Sequence, residues 1–210
     1  MCGCIRVKPK WFPDWNTQTC VIVASGPSAG NVALDRAIGL ARFVAINNSW
    51  RLAPWADFLF AADYRWWYAA QGCPQFRGAK VTTDRHAGET REWNLHRLGM
   101  RLADDRLLMD DIGVVGWGGC SGFQAVNMVA QFGCKRILLV GFDATVKNGL
   151  HWHGSYPGAD NPTKDKTLRW QRCLDNAASM LASLDVEVVN CSMQSALKKY
   201  PKIPFEESVL

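Results

Sequence analysis

Short apolar runs alternate with helical patterns along most of this chain, and that alternation limits its fold more than any other feature. Val21–Ser25, Phe43–Ile46 and Asp57–Ala62 are β-like runs without helical period. Lys80–Thr83 is weaker, Arg136–Phe142 is the strongest, and Val186–Asn190 is the last. Between them, helical periodicity predicts helices over 31–41, 122–132 and 163–184. The first carries Val32, Ala37, Ile38 and Ala41 on one face. The last carries Leu168, Cys173, Ala177, Met180, Leu181 and Leu184. Near-continuous apolar strands separated by helices predict a parallel sheet covered on both faces, an α/β fold of three layers. In such a sheet ligands bind beyond the carboxyl ends of the strands.

At 210 residues the chain reads as a single domain. Residues 1–19 read as an N-terminal extension, polar and aromatic and poor in core positions. Segments 84–111 and 144–162 read as irregular excursions near the site. The composition, 48% hydrophobic and 20% charged, is that of a globular protein and excludes a disordered tail or a coiled coil. The N-terminus has no apolar signal segment, and no apolar run approaches the ~20 residues of a membrane helix. A cytoplasmic protein with reduced thiols is expected, without a membrane partner. Cys2 and Cys4 form a lone C-x-C with no second pair at zinc spacing, and no metal site is expected. Cys20, Cys134, Cys173 and Cys191 sit in apolar stretches and read as small core residues.

Four constellations carry candidate chemistry. Ser25-Gly26-Pro27-Ser28 joins a strand to a helical start, where backbone N–H groups can meet a phosphate. Asn47-Asn48-Ser49 closes the second run. Its paired amides can read a base or ribose, or serve as a turn. Gly118–Gly122 leads into a helix that Ser121 can cap while facing a ligand. Asp143 precedes His151-Trp152-His153, which offers two imidazoles as general bases or as surface residues. Asp63 and Asp143, both at strand ends, can bind Mg²⁺ in a phosphoryl or diphosphoryl transferase.

The series Val21–Ser28, Val44–Asn48, Ala56–Asp63, Ser121–Asn127 and Gly133–Asp143 resembles the bacterial sialyltransferase family. It also resembles the related 6-hydroxymethylpterin diphosphokinase and flagellin-modification proteins, and small phage proteins. The resemblance implies a Rossmann-like transferase, a glycosyltransferase A-type variant. It implies nucleotide contacts from Ser25, Gly26, Pro27, Ser28, Asn47, Asn48 and Ser121, and Asp63 and Gly122 at neighbouring strand and helix ends are further nucleotide-binding candidates. His153, then His151, would be the base for the acceptor hydroxyl; Asp143, from the strand end before them, is a further catalytic candidate. Tyr156 is a candidate to assist the leaving phosphate. Ser25 stands where the family has Asn, and the family's small lid domain is largely missing from 144–162. The implied function is a metal-independent glycosyltransferase with a nucleotide-sugar donor. Its acceptor would be a small molecule, a glycan or a modified DNA base, and its location the host cytoplasm if phage-encoded. The alternatives are the Mg²⁺-dependent transferase and a non-catalytic phage accessory protein that binds nucleotide or nucleic acid. The net charge of +5 is compatible with each.

The chain has 10 tryptophans against 4 tyrosines. Trp50, Trp55, Trp66, Trp67, Trp117 and Trp152 fall just past expected strand ends. They are expected to wall one cleft, or else to pack the loops. Trp11, Trp15, Trp93 and Trp170 read as packing residues.

Overall fold

The computed structural model describes residues 8–156 and 161–209. Cys2 and Cys4 lie outside the described residues. Seven parallel strands form the central sheet: β1 Thr19–Val23, β2 Arg42–Ile46, β3 Phe58–Phe60, β4 Ala79–Thr82, β5 His96–Arg97, β8 Arg136–Val140 and β9 Glu187–Asn190. Their spatial order is β5-β4-β3-β2-β1-β8-β9. Between β5 and β8 the chain forms a separate parallel pair, β6 Gly99–Arg101 and β7 Val114–Gly116. The helices are α1 Tyr64–Ala69, α2 Arg85–Glu89, α3 Ser121–Gln131, α4 Lys164–Ser183 and α5 Phe205–Ser208.

Successive residues of a strand point to opposite faces, so the sheet divides its apolar residues between two cores. Ile22, Val44, Phe60, Ile137 and Leu139 pack on one face with α3 and α4. Val21, Val23, Ala45, Leu59, Leu138 and Val140 pack on the other with α1 and α5. This is the expected three-layer, Rossmann-like α/β architecture.

Three local readings are corrected. The helix expected over 31–41 is a single 3-10 turn, Leu34–Ala37, preceded by another at Pro27–Asn31. Ile38 and Leu40 are 52% and 68% exposed there, so little burial exists to sustain an α-helix. Leu168 on α4 is exposed, because the buried face runs through Thr167, Leu174, Leu181, Cys173 and Ala177. The N-terminal extension is not poor in core: Phe12 and Trp15 are buried and pack edge-on against Phe132. The tail after Cys191 also buries Leu197, Tyr200 and Phe205. Cys20, Cys134, Cys173 and Cys191 are buried free thiols, as expected of core cysteines. Among the described residues no helix is long and apolar enough to cross a membrane.

The excursion between β5 and α3 is held by an amide ladder on α3. Gln124, Asn127 and Gln131 lie on one helix face and are all buried. Gln124 accepts from the Thr83 hydroxyl at 2.9 Å and donates to the Trp117 carbonyl at 3.0 Å. Asn127 accepts from the Leu108 and Gly116 N–H groups at 2.9 and 3.1 Å and donates back to the Leu108 carbonyl at 3.0 Å. Gln131 donates to the Val114 carbonyl at 2.7 Å and accepts from the Gly113 N–H at 3.0 Å. These side chains supply partners that a sheet ladder would otherwise provide. Asn127→Leu, of similar size, would strand two buried N–H groups. We expect a loss of at least about 2 kcal/mol in urea unfolding, and an unchanged midpoint would refute that role.

Candidate functional site

From β1 the chain builds outward through β2 to β5 on one side and through β8 and β9 on the other. The loops after β1 and β8 therefore diverge above a crevice between the two strands, the topological switch point of this sheet. The candidate residues collect there because three chain segments meet: the turn at 24–30, the 3-10 turn Asn47–Arg51 after β2, and the loop 141–156 after β8.

Asp143 makes the first contact across the crevice. It is buried, and the Ser28 hydroxyl donates to its Oδ2 at 2.8 Å. The Ser28 N–H approaches both carboxyl oxygens at 3.4 Å. Gly26 must lack a side chain, because a Cβ there would overlap Asp143 Oδ2 and the Gly141 carbonyl. Burial pushes the Asp143 carboxyl above its ordinary value, and the Ser28 hydrogen bonds oppose that shift. The turn offered to a phosphate by the sequence is thus occupied by a carboxyl of the same chain. Pro27 opens only a short 3-10 turn, whereas the sequence suggested a helix start.

The second contact joins the Ser25, Ser49 and Trp152 side chains. Ser49 is fully buried and donates to the Ala24 carbonyl at 3.0 Å. It lies 3.3 Å from the Ser25 hydroxyl, and Trp152 Nε1 donates to it at 3.2 Å. The Trp152 N–H donates to the Ser25 carbonyl at 3.1 Å. The loop after β8 is thereby stitched to the turn after β1.

The third contact places an aromatic group against the asparagines. The Asn48 N–H approaches the Tyr156 hydroxyl at 3.4 Å, and Trp66 Nε1 donates to Asn48 Oδ1 at 3.2 Å. The His151 and His153 rings stack at 5.1 Å with 13° between planes, and both meet the Tyr156 ring edge-on. Nε2 of each histidine and Oδ1 of Asn47 are buried without a hydrogen-bond partner. Asn47 also holds a left-handed backbone, φ 52°. Burial pushes His151 down to about 4, helped by the neighbouring His153. Burial likewise lowers His153 and raises the Tyr156 phenol. Neutral, desolvated imidazoles with an open nitrogen can accept a proton.

Ser121 and Asp63 lie one strand further along, at the end of β3. The Ser121 hydroxyl accepts from the Ala62 N–H at 3.4 Å, and Asp63 is exposed just before α1. Ser121 does not cap α3; it is the first helical residue, and Cys120 Sγ accepts from the Phe123 N–H at 3.4 Å instead. Gly122 faces the Phe142 ring, 3.0 Å from where a Cβ would sit. No group of three or more His, Cys, Asp or Glu able to hold a metal ion occurs among the described residues.

The tryptophans divide by role. Trp66 and Trp152 bond into the crevice, while Trp67 is fully buried and donates to the Ala61 carbonyl at 3.0 Å. Trp117 lies under the Arg169 guanidinium at 4.0 Å, and Trp50 lies 5.9 Å from that of Arg51. Trp55 departs from the expected placement. It precedes β3 and lines a concavity of about 580 Å³ at the opposite, amino end of the sheet, with Trp15, Arg42, Asp57 and Arg77. Trp11 stacks on His96 at 4.8 Å, Trp93 fills the space beside Gly72, and Trp170 donates to the Gly119 carbonyl at 2.8 Å. The sequence reading missed Ser49 as the hub of the stitch. Its only signal was its place beside the asparagine pair.

No protein-family profile and no curated protein matches this chain. Among solved structures it is similar to the sialyltransferase CstII of Campylobacter jejuni in complex with a substrate analogue, cytidine-5'-monophosphate. That match has a TM-score of 0.53 and 10% identity over 90% of this chain and 85% of the other. A second structure of CstII, with CMP-3FNeuAc, aligns at a TM-score of 0.47 and 10% identity over 89% and 86% of the two chains. The likeness is one of fold.

Folding holds both histidines below their ordinary value of 6.5. Between the folded and unfolded values the unfolded chain binds more protons. The histidine contribution is therefore intact above 6.5 and is lost as the pH falls through the folded values, near 4 for His151. His151→Asn should shrink the drop in urea midpoint between about pH 7 and about pH 5. An equal drop in the variant would refute this assignment.

Proposed function

We propose that this protein is a nucleotide-binding transferase, and specifically a glycosyltransferase that uses a nucleotide-sugar donor and a histidine base without a metal. The observation that carries the reading is the set of three buried polar atoms without partners, Asn47 Oδ1, His151 Nε2 and His153 Nε2, in the loops of one switch-point crevice. Each such atom costs about 1–3 kcal/mol until something bonds to it. A ligand bearing hydrogen-bond donors and a reacting hydroxyl would satisfy all three. The fold shared with a nucleotide-bound sialyltransferase points the same way, as an analogy of fold.

In this reading Asn47 and Asn48 meet the base or ribose. Ser25, Gly26, Pro27 and Ser28 form the wall beneath the donor, with Asp143 setting the turn's shape. Ser121, Gly122 and Asp63 border the far side. His153 takes the proton of the acceptor hydroxyl, and His151, stacked on it and more strongly depressed, keeps the pair from carrying two charges. The acceptor is a small molecule, a glycan or a modified DNA base, and the protein acts in the cytoplasm as a single domain.

Native mass spectrometry after incubation with nucleotides and nucleotide sugars is expected to show one retained adduct. A flat thermal-shift response to CMP, UDP, GDP and ATP would overturn the reading. Where transfer is measured, EDTA should leave it unchanged; turnover abolished by EDTA favours the Mg²⁺-dependent phosphoryl transferase. His153→Gln should reduce transfer by roughly 10²–10⁴-fold with donor affinity little altered. Full activity in that variant would exclude His153 as the base.

A further inference from the structure

The proposed reading leaves the donor's phosphate without a holder. The Ser28 hydroxyl and N–H already face the Asp143 carboxyl, and Gly26 is packed against it. A phosphate placed there would compete for spent donors and be repelled by a neighbouring carboxylate. The anionic part of the donor must lie elsewhere along the crevice.

The 3-10 turn Asn47–Arg51 supplies the alternative. In a 3-10 turn, residues three apart share one side of the turn, which puts Arg51 and Asn48 on the same side. Asn48 is the residue whose N–H meets Tyr156 and whose side chain meets Trp66. Arg51 is exposed, and no ion pair holds it among the described residues. Its guanidinium lies 5.9 Å from the Trp50 ring. Its charge reaches both His153 and Tyr156, adding to the downward shift that burial gives the first and opposing the upward shift that burial gives the second.

We propose that Arg51 holds the phosphate of the nucleotide donor and carries the charge of the leaving group. The assignment rests on the glycosyl-transfer reading above. In the transfer step the bond from the anomeric carbon to a phosphate oxygen breaks, and its electron pair stays on that oxygen. A new bond joins the anomeric carbon to the acceptor oxygen, whose proton passes to His153. The departing phosphate gains one negative charge, which a planar guanidinium with several fixed donors stabilises. Tyr156, in contact with Asn48 on the same turn, adds a hydroxyl donor.

The test compares the wild-type protein, Arg51→Gln and Arg51→Lys by calorimetric titration. The probes are CMP, UMP, GMP and AMP with their matching nucleosides. Wild type should bind its preferred monophosphate more tightly than the nucleoside. Arg51→Gln should weaken the monophosphate at least about 10-fold while leaving the nucleoside unchanged, and Arg51→Lys should recover part of the loss. Equal monophosphate binding by wild type and Arg51→Gln overturns the assignment and leaves the nucleotide reading standing. Equal weakening of nucleoside and monophosphate also overturns it, because that marks a merely structural role. Wild type that binds no probe overturns the nucleotide reading together with this one. An independent readout is the His153 imidazole resonance. Losing Arg51 should raise the pH of its titration midpoint, and an unmoved midpoint contradicts the placement of the guanidinium at the site.

Discussion

The hydrogen bonds from Ser28 to Asp143 cross the crevice between β1 and β8, and the candidate site takes its shape from them. At the switch point of a parallel sheet the loops after two neighbouring strands diverge, because their connections depart in opposite directions. Here the gap is closed by a carboxyl from one side and a hydroxyl from the other. Gly26 and Gly141 make the approach possible. The first has no room for a side chain, and the second has a left-handed backbone beneath the Ala24 carbonyl. Once the turn is drawn in, Trp152 reaches both the Ser25 carbonyl and the Ser49 hydroxyl. Tyr156 then lies over Asn48.

The same closure explains the electrostatics. Drawing the loop after β8 down over the sheet removes water from His151, His153 and Tyr156, and all three shift toward their neutral forms. The cost appears as unpaired nitrogen and oxygen atoms in the interior. Natural folds satisfy nearly all such groups, and three of those left open here, on Asn47, His151 and His153, fall in one crevice, while Arg169 Nε and Asn190 Nδ2 lie elsewhere. Asp143 shows the opposite behaviour. Its polar capacity is used internally, and a feature that looks like an anion site in one dimension becomes a structural tie in three.

Much of the fold was legible in the order of apolar runs. Arg136–Phe142 and Val21–Ser25 announce central strands because burial on both faces leaves no polar alternation to blur them. The exceptions have local causes. The helical pattern at 31–41 concealed a 3-10 turn, Leu34–Ala37, since Ile38 and Leu40 face outward. Residues 84–111 looked irregular because their order comes from amides on a helix that follows later in the chain. The aromatic N-terminal residues gave no periodicity, yet Trp15 packs on Phe58 and Phe132 in the main core.

The sequence alone determined the layer architecture and the end of the sheet where the candidate residues collect, because both follow from hydrophobic period and from polar, glycine-bearing strand ends. It also singled out Asn47, Asn48, His151, His153 and Tyr156. Which groups remain open was decided only by the tertiary structure. Ser28 lies 115 positions from Asp143, and Ser49 lies 103 from Trp152. Hydrogen-bond satisfaction between such distant segments depends on how the loops converge, and no local pattern encodes it. For that reason the glycine turn read as an empty anion site, and Arg51 passed without notice beside the asparagine pair.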